Sequence, residues 1–308
     1  MKGAYITIAA LSALICICGP AAAEGTAADS LGPVTPQLLS DITMYRFVAD
    51  SDDASALFVN PAGLAARRDG SVLLGGLYQY DRLAEVSTSL TGSHAGLGYL
   101  YRDTGGYRSR TYMLGLGATL LPGLHIGTAL RWNHTDLPLD DRSPFTVDVG
   151  FLNRPHRYLS IGGVFRNVNN PRFAGGRLEE SFTGGLSLRP LTERITLSGQ
   201  GTFIDGEKPA WLAGGRISVV PGVELYGAYA RSYALERAGD PYEEFTAGII
   251  LSAGGRGTRY VGRSRIDGDY DYGRYGMLAE GTPSFKRSVF DRDRYAETTV
   301  GGDYLDEG

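Results

Sequence analysis

The stretch DDASALFVNPAGLA, residues 52–65, ends in a pattern that favours a short helix. Asn60 suits the helix N-cap, and Pro61 suits the first helical position because its missing N–H is not needed there. Ala62 and Leu64 continue the helix for one or two turns and contribute to an apolar face. The stretch therefore predicts a short helix that packs against a sheet.

Downstream of this helix, apolar and polar residues alternate with a period of two, which is typical of β-strands. Between Ile195 and Phe203, one face carries Ile, Leu, Gly and Phe, and the other carries Thr, Ser and Gln. Segments of about ten residues with this alternation can cross a bilayer as tilted strands. We expect strands near 72–79, 84–90, 94–102, 109–120, 123–134, 144–152, 157–167, 180–189, 194–204, 210–219, 222–232, 243–253, 257–264 and 272–281.

These strands predict an all-β fold, namely a transmembrane antiparallel β-barrel of about 14 strands over residues 71–281, with 12 strands as the alternative. A soluble β-sandwich also alternates apolar and polar residues. Three features favour the barrel: uncharged outer positions in the clearest strands, aromatic residues near strand ends, and tight turns that alternate with long polar loops. Glycine supplies 44 of the 308 residues, which disfavours a helix bundle.

Residues 1–23 have the pattern of a secretory signal peptide. Lys2 supplies the positive charge, an apolar run follows, and Ala21–Ala23 offers a small-residue cleavage site. Cys16 and Cys18 both lie in this segment, so we expect no disulfide and no thiolate metal site in the mature chain.

The stretch 52–65, placed between the signal peptide and the first strand, resembles the amino-terminal motif of FadL-like and PorV-like outer-membrane β-barrels. The resemblance implies that residues 24–70 form a short helical hatch and that residues 41–66 gate the lumen. It also implies location in the bacterial outer membrane, contact with membrane lipid, and passage or binding of small hydrophobic molecules. The hatch motif consists of Asn60, Pro61, Ala62, Gly63 and Leu64. The simpler alternative is a short helix that only packs against the sheet.

Residues 160–171, SIGGVFRNVNNP, also resemble these barrels, in which a strand often ends in Arg-Asn and a loop with proline follows. Arg166 faces the lumen if Phe165 faces lipid. We expect the polar side chains in the lumen either to contact cargo or the hatch, or to form ion pairs and hydrogen bonds that stabilise the barrel. The candidates are Arg131, Arg166, Asn167, Gln200 and Arg231.

The sequence offers no catalytic motif, and we expect neither a cofactor nor a metal site. The four histidines do not make a close ligand spacing with one another, and no Gly-x-Ser-x-Gly elbow appears. The formal net charge of −4 disfavours nucleic-acid binding. We therefore expect no enzymatic activity, unless the chain is the first part of a longer peptidase fusion.

Residues 282–308 form a charged carboxyl-terminal extension beyond the last expected strand. Its last residues resemble the opening strand of SppA-like (S49) peptidase domains. The resemblance implies an alternative function, in which the barrel anchors or presents a periplasmic partner or a fused peptidase domain. A disordered acidic tail is the other interpretation.

Overall fold

The computed structural model describes residues 47–281 except for 53, 67–69, 80–81, 93, 104–107, 137–144, 174–175, 179, 191–193, 205–207, 233–241, 254–255 and 266–273. The expected signal peptide, residues 24–46 of the expected hatch and the extension 282–308 lie outside these ranges. All of the described residues belong to the unit Pro33–Gly308. Within them, no helix combines the length and the hydropathy of a membrane span.

The described strands form a closed antiparallel barrel of fourteen strands, together with a separate two-stranded sheet. The barrel strands are β1 (Ser71–Gln79), β2 (Arg82–Thr91), β3 (Ala95–Asp103), β4 (Arg108–Leu121), β5 (Leu124–Thr135), β6 (Phe145–His156), β7 (Leu159–Arg166), β10 (Ser181–Leu188), β11 (Ile195–Ile204), β12 (Ala210–Val220), β13 (Val223–Ser232), β14 (Tyr242–Ala253), β15 (Arg256–Arg265) and β16 (Arg274–Gly281). The small sheet pairs β8 (Arg172–Phe173) with β9 (Gly176–Arg177).

Each barrel strand pairs with its neighbour in the chain, except that β7 pairs with β10 around the small sheet, and β1 pairs with β16 to close the barrel. The expected fold class is confirmed, and each expected strand has its counterpart. The largest difference is in β6, which continues to His156 instead of ending at 152. The small sheet was not expected from the sequence.

Side chains point alternately inward and outward along the barrel strands whose side chains the structure describes, as the period of two requires. In β4, Thr111 and Met113 are buried, whereas Tyr112 and Leu116 are 48% and 49% exposed. Exposed apolar side chains continue around the wall at Leu74, Leu97, Ile126, Val149, Phe165, Leu186, Leu197, Trp211, Ile217, Leu225, Phe245 and Leu251. An apolar surface of this extent is typical of a lipid-facing barrel and not of a soluble sandwich.

The two ends of the barrel differ in their connections. At the short-turn end, Pro122–Gly123 joins β4 to β5 and Pro221–Gly222 joins β12 to β13. Gly123 and Gly222 adopt φ values of 78° and 86°, which glycine allows without strain. The opposite, long-loop end carries the connections 136–144, 167–180 and 233–241. Since β1 begins and β16 ends at the short-turn end, the chain enters and leaves the barrel on the same side.

Aromatic side chains form a girdle on the outer surface near the long-loop end. Ring pairs bridge neighbouring strands at Tyr99–Tyr112 (5.3 Å), Trp132–Phe145 (5.2 Å), Phe165–Phe182 (4.6 Å) and Phe203–Trp211 (5.9 Å). Gly201 lies below one of these pairs, and a β-carbon there would come 2.9 Å from the Trp211 ring. Rings at this level match the interface belts of membrane barrels.

Candidate functional site: the inner segment

Residues 47–66, here called the inner segment, precede β1. Its described residues are buried except for Asp50 and Asp52, which are half-buried. The segment contains helix α1 (Ala56–Val59) and a 3₁₀ helix (Pro61–Leu64). Asn60 caps the 3₁₀ helix, since its Oδ1 accepts from the N–H of Ala62 at 3.1 Å. The local sequence therefore forms the short helical element that the Asn-Pro motif predicts.

Inward-facing glycines on six neighbouring strands form a groove in which the inner segment lies, here called the glycine groove. A β-carbon on Gly127 would overlap the carbonyl group of Pro61, and one on Gly162 would overlap that of Val48. The groove consists of Gly98, Gly115, Gly127, Gly150, Gly162 and Gly185. Because these positions carry no side chain, the backbone of the segment lies directly against the wall at Pro61 and Val48, and side chains of the segment occupy the space at the other four glycines.

The side chain of Asn60 joins two parts of the inner segment to the wall. Its Nδ2 donates to the carbonyl oxygen of Val48 at 2.8 Å and to that of Phe151 in β6 at 2.9 Å. Asn60 is fully buried, and its Oδ1 lies where a β-carbon on Gly150 would be. An amide is the side chain that can donate to two carbonyls and accept from an N–H at the same time.

Apolar side chains of the inner segment complete a core inside the barrel. Phe47, Leu57, Phe58 and Leu64 are at most 2% exposed. They belong to one cluster with inward-facing residues of the wall, namely Leu73, Leu100, Met113, Ala129, Val164, Tyr226, Ala228 and Ile250. The inner segment and inward-facing side chains of the strands therefore fill the lumen together at this level.

Ion pairs hold the segment toward the short-turn end. The Asp50 carboxylate lies 2.9 Å from Arg189 Nη2 and 3.1 Å from Arg216 Nη2. Asp52 lies 2.9 Å from Arg154 Nη1, and Arg154 is 1% exposed. Such pairs are costly to break when one partner is removed, because a buried charge is then left uncompensated.

Two further arginines reach the carboxyl end of α1, where helical carbonyls lack intrahelical partners. Arg131 Nη2 donates to Phe58 O at 3.3 Å, and Arg166 Nη2 donates to Val59 O at 3.0 Å. Asp148 lies between both guanidinium groups, 2.7 Å from Arg131 and 3.6 Å from Arg166. Positive charge is favourable at this end of a helix, and each arginine contacts both the wall and the inner segment.

The three remaining expected lumen residues can be placed against this geometry. Gln200 faces inward, and its Oε1 accepts from the N–H of Val48 at 2.9 Å. Asn167 is buried just beyond β7, and its N–H donates to Asp148. Arg231, by contrast, lies outward. It shares the face of exposed Leu225 and Tyr229.

The expectation for Arg231 is therefore corrected. Its Nε lies 3.5 Å from Glu243 Oε1, and the two side chains are 42% and 27% exposed on the outer side of β13 and β14. The physical reason is the pleat: inward-facing Tyr226 and Ala228 have even numbers in this strand, so an odd-numbered residue points outward.

Several site residues were not expected from the sequence, namely Asp50, Asp52, Asp148, Arg154, Arg189 and Arg216. A signal did exist for Asp148, because it stands between Val147 and Val149 and a charge at an alternating position faces away from lipid. Asp50 and Asp52 carry no such pattern. Among the described residues, no group of three or more His, Cys, Asp or Glu side chains could hold a metal ion.

Comparison with solved structures gives the same architecture. The CymD monoaromatic hydrocarbon channel matches with a TM-score of 0.52 and 9% identity over 76% of this chain and 92% of that chain. A Pseudomonas aeruginosa FadL homologue matches with 0.51 and 9% over 76% and 94%. The Pseudomonas putida toluene transporter TodX matches with 0.51 and 10% over 78% and 95%.

No protein-family model matches the sequence, and no curated protein matches it significantly. At 9–10% identity the structural likeness establishes the fold alone. The lipid-facing outer surface, the aromatic girdle and this likeness agree with one another. By its fold, the chain is similar to FadL-like β-barrels, one of which is the Pseudomonas aeruginosa FadL homologue.

Proposed function

We propose that this barrel is an outer-membrane channel for small hydrophobic molecules and that the inner segment is its gate. The observation that carries the proposal is the way in which the lumen is filled. A segment of the chain lies in a groove of glycines, and its apolar side chains occupy the centre of the lumen within a core that the wall side chains complete. In small barrels with a permanently closed interior, wall side chains usually fill the space themselves.

The polar contacts of the inner segment are separate side-chain contacts, which can break without any change in strand pairing. They include the Asp50 and Asp52 ion pairs, the Asn60 amide, the arginines at the end of α1, and hydrogen bonds between the segment backbone and the wall side chains of Gln200, Ser89 and Ser160. If the segment leaves the groove, the glycines present only backbone, so a passage opens without any rearrangement of the strands.

The hydrophobic class of the transported molecule is supported by the lining and by the structural neighbours. Inward-facing Leu100, Met113, Val164 and Leu212 belong to or pack against the apolar cluster. Two neighbours with the same fold are described as a monoaromatic hydrocarbon channel and a toluene transporter. A buried segment in the lumen blocks free diffusion of polar solutes, whereas an apolar molecule can replace apolar contacts of the segment.

The alternative, a barrel that anchors a periplasmic partner or a fused peptidase domain, depends on residues 282–308. These residues lie outside the described ranges, and no described contact favours this alternative over the channel.

The test is uptake of radiolabelled toluene by intact cells whose own hydrophobic channels have been deleted. Cells that produce the barrel should accumulate toluene faster than cells with an empty vector. Equal rates, with the barrel shown to be folded in the outer membrane, would contradict the channel.

A disulfide lock tests the gate separately. A β-carbon on Gly185 would lie 2.9 Å from Val48 Cγ2, so cysteines at Val48 and Gly185 are close enough to bridge. The oxidised V48C/G185C variant should take up toluene no faster than the empty vector, and a reductant should restore uptake. Fast uptake by the fully oxidised variant would show that the segment is not the gate. The single variants V48C and G185C serve as controls for the substitutions themselves.

A further inference from the structure

Asp148 in β6 occupies a central position between the long-loop end of the barrel and the inner segment. Its side chain is 1% exposed, so its carboxylate interacts with protein groups and not with bulk water. Those partners come from three places: Arg131 in β5, Arg166 in β7, and the backbone beyond β7. We propose that Asp148 couples the turn 167–170, at the long-loop end, to the position of the inner segment.

The outer side of this connection is the turn 167–170. The N–H of Asn167 donates to Asp148 Oδ1 at 3.2 Å. Asn167 and Asn170 adopt left-handed φ values of 56° and 41°, which asparagine tolerates better than most residues. Because of this conformation the chain leaves the sheet after Arg166, and the turn follows the edge of β6 instead.

The turn is fastened to that edge by hydrogen bonds that replace strand pairing. The N–H of Val168 donates to Val147 O at 3.0 Å. The side chain of Asn169 accepts from Val147 N at 2.9 Å and donates to Phe145 O at 2.7 Å. These hydrogen bonds attach the turn to the long-loop end of β6, and Asp148 lies next to them in the strand.

The inner side of the connection consists of the two arginines. Arg131 and Arg166 are 2% and 13% exposed, and each donates to a carbonyl at the end of α1. Asp148 holds both guanidinium groups in the orientation that reaches those carbonyls. Both arginines form ion pairs with the same carboxylate oxygen, so loss of the carboxylate leaves two largely buried guanidinium groups without this partner together.

The attachment of the inner segment therefore depends on the turn 167–170. If the turn 167–170 is displaced, Asp148 loses a donor and its carboxylate is free to rotate, which weakens the hold of the arginines on α1. A molecule that arrives at the long-loop end could thereby loosen the inner segment before it reaches the lumen. This proposal rests on the proposed function in one respect, namely that the inner segment is the gate of the channel. Asp148 is a positioning residue in this scheme and need not touch the transported molecule.

The test measures how fast a cysteine in the inner segment reacts with a small maleimide in the purified, folded barrel. Ala62 is fully buried, and A62C should therefore react slowly. We expect D148N to raise the rate about tenfold or more, the scale on which loss of a buried ion-pair partner acts. We expect N169A, which acts on the turn alone, to raise the rate as well, but to add little once D148N is present.

The pattern of the four rates decides the proposal, because contacts that act through one residue are not additive. A rate that N169A leaves unchanged, or raises by the same factor with and without D148N, would overturn the coupling. E243Q removes a carboxylate beside an arginine on the outer face, and it should leave the rate unchanged. All variants must first show the heat-dependent gel shift of a folded barrel. Since no transported molecule is added, the coupling can be judged even if the uptake experiment fails.

Discussion

The carbonyl group of Pro61 lies directly against Gly127 of β5, at the point where any other residue would place its β-carbon. The inner segment and the wall therefore meet backbone to backbone. A contact of this kind has no flexible side chain that could yield, so its geometry is sensitive to a single methyl group. The position of the inner segment depends on this glycine as much as on its ion pairs.

The first prediction is that G127A displaces the inner segment while the barrel stays folded. The added methyl group overlaps the Pro61 carbonyl, and overpacking of this kind costs about 1–3 kcal/mol. Limited proteolysis should cleave within residues 47–66 faster in G127A than in the unchanged protein. The matched control is G199A in β11, where no atom lies within 4 Å of the added carbon. Equal cleavage of both variants would contradict the role of the groove.

The second prediction concerns Asn60. N60A removes both hydrogen bonds from Nδ2 and the cap of the 3₁₀ helix, so it should lower the free energy that holds the segment by about 3 kcal/mol. N60D should be at least as harmful, because a carboxylate cannot donate to the carbonyls of Val48 and Phe151. Hydrogen exchange of the segment amides measures this free energy. If N60D exchanges as slowly as the unchanged protein, the donor role of Asn60 is wrong.

The third prediction concerns the Asp50 ion pairs. D50N leaves Arg189, which is 4% exposed, without its carboxylate, and we expect a cost of about 3 kcal/mol for the attachment of the segment. Single barrels in planar bilayers should show open events more often with D50N than without it. The control E243Q breaks an exposed pair on the outer face and should leave the frequency of opening unchanged. If D50N and the unchanged protein open equally often, the Asp50 ion pair does not contribute to gating.

The fourth prediction concerns orientation. The inner segment enters at the short-turn end, so this end should face the periplasm and the long-loop end should face outward. A cysteine at exposed Val168 should react with a membrane-impermeant maleimide on intact cells, whereas one at Pro221 should react only after the outer membrane is permeabilised. Labelling of the Pro221 cysteine on intact cells would mean that the barrel is inverted.

The strands were predictable because their pattern is local. Successive side chains of a wall strand point alternately to lipid and to the lumen. Alternation of apolar and polar residues along the chain therefore indicates a strand directly. The residues Ile195, Leu197 and Phe203 face outward, as their alternation with Thr196 and Ser198 predicts. Arg231 was assigned to the wrong face because β13 carries aromatic residues on both sides, Tyr226 inside and Tyr229 outside, and the pattern there is ambiguous.

The sequence by itself determined the barrel, its strands and the short helical element at the Asn-Pro motif, because each depends on neighbours within a few residues. Only the tertiary structure decided what the inner segment touches. The partners of Asp50 lie 139 and 166 residues away in the chain, and Asn60 reaches a carbonyl 91 residues away. Such contacts depend on the closure of the barrel, which brings distant strands around one lumen, and no local periodicity records them.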